Sequence, residues 1–160
     1  MYPFKLVPMT ERHAAAIASW RYPQPYERYN SEPWERLSVE GIGMADPVIR
    51  EKQFRSVLRH GDLCGFAQWF PLYAEHTQDA APSIIRLGVG LRPDLCGRGL
   101  GADFVAFIAE ETAKQHPGAA IDLEVAADNL RAIRAYERAG FRKTDEYIAA
   151  GEAIICMVWH

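Results

Sequence analysis

The sequence predicts a mixed α/β fold of the α+β kind: a mostly antiparallel, twisted sheet of about seven strands with helices on both faces. Three observations predict it. Strand-like and helix-like patterns follow one another in the order β-α-α-β-β-β-α-β-α-β-β. Residues 83–126 have the strand, long helix, strand layout of a right-handed crossover between parallel strands. Two further pairs of strand patterns are joined by short turns at His60-Gly61-Asp62 and around Gly151, which makes them antiparallel hairpins.

Taken in order, residues 4–7, FKLV, read as a first strand. Thr10 offers a helix cap, and residues 11–20 read as an alanine-rich helix. In residues 20–34, WRYPQPYERYNSEPW, three prolines forbid a continuous helix and five aromatic residues crowd an irregular stretch. A short helix follows at about residues 33–41, and residues 50–59 and 63–70 read as a strand pair. A polar loop is expected over residues 73–82, then a buried strand at 83–91. Gly88 and Gly90 interrupt that strand, as a bulge or a close backbone approach would require. Residues 99–116 form the best helix, with Leu100, Phe104, Phe107 and Ile108 on one stripe and His116-Pro117-Gly118 as the stop. Residues 120–126 are a strand with Ile121, Leu123 and Val125 on its apolar face and Asp122 and Glu124 on the other. Asp128 can cap a helix that runs to Ala139 and ends at Gly140. Residues 141–148 and 153–159 close the chain as a hairpin.

The 160 residues suit one domain, 1–160, and 49% of them are hydrophobic, enough to build a core. A net charge of -3 and a pI of about 6.0 argue against a nucleic-acid partner. The N-terminus, MYPFKLVPMT, lacks a basic region followed by an apolar run, and no segment reaches the roughly 18 apolar residues that span a bilayer. Cys64, Cys96 and Cys156 have no C-x-x-C spacing, which points to reduced thiols and a cytoplasmic location. The five histidines are scattered, so no metal site is expected.

Residues 97–102, GRGLGA, fit two fingerprints: the dinucleotide pattern G-x-G-x-x-A and the x-x-G-x-G diphosphate loop of acyl-CoA enzymes. The first needs its leading glycine at a strand end and further parallel β-α units behind it. Here Arg92 to Cys96 intervene, and only one more helix and a hairpin follow the crossover. The segment LGVGLRPDLCGRGLGADFV resembles motif A of the GNAT superfamily of N-acetyltransferases. LEVAADNLRAIRAYERAGF is similar to that superfamily's next motif, N-x-x-A-x-x-x-Y-x-x-x-G-F, with Asn129, Ala132, Tyr136, Gly140 and Phe141 in place. Together the motifs cover roughly residues 84–141.

The resemblance implies acetyl-CoA as acyl donor and direct transfer to an amine in a ternary complex. Central parallel strands that splay apart are also implied, with the pantetheine arm in the gap. The diphosphate would meet the unpaired N–H groups of a helix start, with Cys96, Gly97, Arg98, Gly99, Leu100 and Gly101 around it. Cys96 stands where the superfamily carries Arg or Gln, so only its backbone N–H is left to contribute. Gly90 and Leu91 would pair with the pantetheine amides, and a free N–H there would polarise the thioester carbonyl. Asn129 is expected at the pantetheine arm or at the start of its helix.

A lysine-like amine is neutral in only about one molecule in ~2500 at pH 7, so a base must take its proton. Glu124 is the first choice and Asp122 the second; a surface or ion-paired carboxylate is the competing reading. Tyr136, on the helix face shared by Asn129, Ala132 and Ile133, matches the superfamily's acid for the departing thiolate. In this superfamily the region between the first two helices lines the acceptor cleft. Trp20, Tyr22, Tyr26 and Tyr29 there suit a cationic small-molecule or peptide amine through cation–π contact. The same aromatics equally suit a patch over the core or a homodimer contact. An acyl-CoA sensor without transfer activity is the alternative function.

Overall fold

A computed structural model of the chain describes residues 2–74 and 81–160. Among the described residues there are seven strands: β1 (Phe4–Pro8), β2 (Phe54–Arg59), β3 (Asp62–Leu72), β4 (Ile84–Leu91), β5 (Ala120–Ala126), β6 (Phe141–Ala149) and β7 (Glu152–Trp159). The α-helices are α1 (Glu11–Ala18), α2 (Trp34–Glu40), α3 (Pro47–Gln53), α4 (Gly101–Gln115) and α5 (Leu130–Ala139). The strands hydrogen-bond in the order β1-β2-β3-β4-β5-β7-β6. β4 and β5 are parallel, whereas β1/β2, β2/β3, β5/β7 and β6/β7 are antiparallel. The predicted mixed sheet is therefore present. The predicted loop at 73–82 lies mostly outside the described residues.

By contacts the chain divides into two compact units, and the division runs through β3 and β4. The first holds residues 3–68 and 89–96. Its core gathers Met9, Ala14, Ile17, Ala18, Met44 and Phe54, with Trp20, Trp34 and Phe66 packed against them. Thr10 caps α1 as predicted: its Oγ1 accepts from the His13 N–H at 3.0 Å, and its own N–H donates to His13 Nδ1 at 3.3 Å. The helix stops at Ala18, two residues short of the sequence reading, where the Ser19 hydroxyl donates to the Ala16 carbonyl at 2.6 Å. The β2–β3 turn has positive φ at both His60 and Gly61, the geometry that matches the twist of a two-residue hairpin.

One element departs from expectation. Residues 50–53 belong to helix α3, not to a strand that begins at 50. Asp46 caps that helix by accepting from Val48 N at 2.8 Å and Ile49 N at 3.4 Å, and Pro47 occupies its first position. These start signals carry the helix to Gln53, which leaves β2 six residues long.

His13 also makes a testable electrostatic feature. Its Nδ1 lies 2.9 Å from the fully buried Ser56 hydroxyl. Burial pushes the pKa of His13 below the usual 6.5, and the nearby Arg12 charge adds to this. A proton on Nδ1 would also face the Thr10 N–H donor. The unfolded chain therefore binds this proton more tightly than the folded one, and stability falls as pH drops below about 6.5. Thermal melts from pH 8 to 5.5 should show that decline, and His13→Gln should flatten it in the same window.

The second unit holds residues 69–88 and 97–160. α4 is buried along Phe104, Val105, Ala106, Phe107, Ile108 and Ala109, as expected of a central helix, and it packs on α5 and β5. It begins at Gly101 and not at Gly99, because Gly97 (φ +73°) and Gly99 (φ +79°) are left-handed and cannot join a right-handed helix. Asn129, not Asp128, caps α5: its Oδ1 accepts from Ala132 N at 3.2 Å, and Gly140 (φ +108°) closes the helix as predicted. The β6–β7 hairpin turns at Ala150 and Gly151, both with positive φ. No helix among the described residues is long and apolar enough to cross a membrane.

Candidate active site

The candidate site residues of the second unit start at the α4 end of the glycine loop. Gly97, Arg98 and Gly99 are exposed. A Cβ at Gly99 would meet nothing within 4 Å, and one at Gly97 would meet only the Arg131 Nη1 at 3.8 Å. No side chain caps α4 at Leu100. The first N–H groups of the helix therefore face an open, glycine-lined cradle with Arg98 beside it. Gly101 serves a different end, since its Cα packs towards the Ala135 methyl, which a Cβ would approach to 3.4 Å. Asp103 adds one negative charge in this turn, and Arg98 and Arg131 outnumber it. The cradle fits an anionic diphosphate. Arg131 was not foreseen from sequence; its signal was a cation in the first turn of a helix with no acidic residue there, an unfavourable place for positive charge.

The parallel pairing of β4 with β5 runs only from Ile84↔Ala120 to Leu87↔Leu123. β5 continues to Ala126, still paired with β7. The parallel pairing thus ends before either strand does, and Glu124 is the first β5 residue past its last pair. Glu124 is not solitary. Its Oε1 accepts from Arg86 Nη1 and its Oε2 from the Tyr147 hydroxyl. Arg86 also binds Asp122 bidentately, Nε to Oδ1 at 3.0 Å and Nη2 to Oδ2 at 2.9 Å. This pairing raises the pKa of Arg86, with the Asp122 hydrogen bonds as the main cause. Asp122 is buried, with 4% exposure, although it lies on the polar face of β5; the guanidinium makes that burial tolerable. The Glu124 side chain keeps 30% exposure, so an incoming group meets Glu124 first. The Cys156 thiol lies 3.6 Å from Asp122 Oδ2, and burial pushes its pKa up.

α5 places Asn129 at its cap and Tyr136 two turns on, half-buried, with its ring 6.1 Å from that of Phe141. The structure therefore has the cradle residues, Asn129, Tyr136 and Glu124 all within the second unit.

The first unit holds the other predicted residues. Gly90 makes the close approach expected of it: a Cβ there would stand 2.1 Å from Phe66 Cε1. The Leu91 carbonyl accepts from the Tyr22 hydroxyl at 2.8 Å, so a residue expected to meet the acceptor is joined to one expected to meet pantetheine. The Cys96 thiol points to the Leu91 and Arg92 carbonyls, each at 3.6 Å, and its N–H donates to the Pro93 carbonyl at 3.2 Å. Part of the aromatic stretch fits the reading as a patch over the core. Trp20 covers the core, 6.5 Å from Phe66. Tyr26 is half-buried, and its carbonyl accepts from the Tyr29 N–H at 3.0 Å in a 3₁₀ turn. Tyr29 faces outward with the Arg28 guanidinium 5.1 Å over its ring.

The chain matches the Acetyltransferase (GNAT) family over residues 14–141, most of its length and parts of both units. It belongs to the GNAT acetyltransferase family. Among curated relatives, this family member is 31% identical over 97 residues to the spermine/spermidine N(1)-acetyltransferase of Bacillus subtilis (strain 168). That match takes in 59% of the chain and spans 62% of the Bacillus protein's length. Solved GNAT structures share its fold. The aminoglycoside acetyltransferase AAC(6')-Ib, in complex with ribostamycin and coenzyme A, superposes with a TM-score of 0.76 at 21% identity, covering 99% of this chain and 93% of that one. A spermidine N-acetyltransferase SpeG chimera from Vibrio cholerae and hSSAT reaches 0.72 at 15% identity, covering 99% and 95%.

Proposed function

We propose that this GNAT protein is an acetyl-CoA-dependent N-acetyltransferase that acetylates a primary amine of a small, cationic acceptor by direct transfer. The open glycine cradle at the uncapped start of α4 carries the reading. Acetyl-CoA, when bound, supplies an activated acyl thioester, and its diphosphate is held by the N–H groups from Gly97 to Gly101, with Arg98 adding charge. Asn129 orients the pantetheine arm from the start of α5. Glu124 removes the ammonium proton of the acceptor, and the Tyr136 hydroxyl delivers a proton to the departing sulfur.

The acceptor class follows from charge. Arg86 offsets one of the two carboxylates, Asp122 and Glu124, so the cluster keeps a net negative charge on its more exposed member. Such a cluster suits a polyamine or an amino sugar, in keeping with the substrates named for the Bacillus relative and the AAC(6')-Ib structures. Cys64, Cys96 and Cys156 form no disulfide among the described residues, which suits a reducing, cytoplasmic setting.

The test is release of coenzyme A thiol in the presence of acetyl-CoA and a panel of spermine, spermidine, ribostamycin and kanamycin. Turnover with at least one amine is expected, and Tyr136→Phe should lower kcat about tenfold or more while coenzyme A affinity stays within about twofold. A panel that stays silent although coenzyme A binds would contradict the transferase reading.

A further inference from the structure

We propose that Tyr147 is a positioning residue of the transfer reaction, one that fixes the Glu124 carboxylate from the outermost strand, β6; this rests on Glu124 as proton acceptor. Glu124 pairs with Cys156 of β7, and Cys156 with Asp145 of β6. Tyr147 lies one row further, in register with Ile154 and, through it, with Ala126. Strands are spaced about 4.8 Å apart, so β6 and β5 stand about 10 Å apart across β7. A tyrosine and a glutamate together bridge such a gap where the residue between them is small, and Cys156 is small. The hydroxyl meets Oε2, while Arg86, coming from β4 on the other side, meets Oε1. The carboxylate is thus held from both sides, and each oxygen keeps a second lone pair for an incoming ammonium.

The chemistry of the two donors differs. Arg86 is already committed to Asp122 by two hydrogen bonds. A second cation at Oε2 would neutralise the cluster and remove its attraction for an amine. A phenol donates a hydrogen bond that orients the carboxylate and brings no charge of its own. Tyr147 is 37% exposed on the outermost strand, so it contributes little to the core that would otherwise account for it.

The experiment is the rate of acetyl transfer to the fastest amine of the panel, for wild type, Tyr147→Phe, Glu124→Gln and the double variant. Tyr147→Phe keeps the ring and should melt within a few degrees of wild type. It should lower kcat about three- to tenfold with the amine KM within about twofold. Glu124→Gln should lower kcat about 100-fold or more, and the double variant should be no slower than Glu124→Gln, because Tyr147 acts through that carboxylate. A Glu124→Gln enzyme as fast as wild type would overturn the proton-acceptor reading and this inference with it. A slow Glu124→Gln enzyme beside a Tyr147→Phe enzyme as fast as wild type would overturn the positioning role alone. A double variant slowed by the product of the two single effects would mark a structural role and overturn it too.

Discussion

Arg86→Met should cost the protein about 3 kcal/mol of stability, which for a chain of this size lowers Tm by roughly 10 °C. The reason lies in what is left behind. Asp122 is almost wholly buried, and both of its oxygens accept from the guanidinium. Glu124, two residues on along the same face, would then repel it with no cation between them. Breaking such a pair by removing one partner typically costs 3–5 kcal/mol, and the partial exposure of Arg86 (31%) places this case at the lower end. The double variant Arg86→Met/Asp122→Leu should recover most of the loss, because it removes the stranded charge as well. Denaturant melts of the two variants measure both terms. A single variant as stable as wild type would show that Asp122 needs no cation.

Gly99→Val should weaken coenzyme A binding about 30- to 100-fold while leaving the chain folded. A side chain at this position obstructs the approach of a diphosphate to the N–H groups beyond it, and hydrogen bonds to charged groups are worth about 1.5–3 kcal/mol each. A valine at φ +79° also strains the loop by about 1–2 kcal/mol. The two effects are separable. Gly118, at φ +88°, likewise has nothing within 4 Å of its Cβ position, but it follows the far end of α4. Gly118→Val should pay the same backbone strain and bind coenzyme A like wild type. Titration calorimetry of both variants decides between obstruction and general loosening.

Much of this was legible in the sequence because its signals are local. The glycines of residues 97–101, the stop at His116-Pro117-Gly118, Thr10 before α1 and Gly140 after α5 act on their own few residues. The β6–β7 turn could be read in the same way from Gly151. An error arose where a start signal was passed over: Asp46-Pro47 begin a helix whose polar residues Arg50 to Gln53 read as strand. At α5 the two cap candidates, Asp128 and Asn129, are decided by the fold in favour of Asn129.

The charge cluster was half legible. Glu124 could be named from its place on a strand, and a lone arginine in the apolar run IIRLGVGL announces a partner. That partner depends on the β4–β5 register, which pairs Arg86 with Asp122. Tyr147 was out of reach, because its alignment with β5 passes through β7 and a register shift between Lys143 and Asp145. The aromatic stretch shows the same limit. Its prolines rule out a helix, but only packing decides that Trp20 turns inward while Tyr29 turns outward.

The central claim is that the backbone N–H groups from Gly97 to Gly101 grip the diphosphate of an acyl-CoA. Proton–nitrogen correlation spectra of the whole chain, recorded as coenzyme A is added, test it residue by residue. Saturable shifts are expected at Gly97, Gly99 and Gly101, absent when the thiol fragment pantetheine, which lacks the diphosphate, is added in its place. Saturation with those three resonances unmoved, or no binding at millimolar coenzyme A, would contradict the claim.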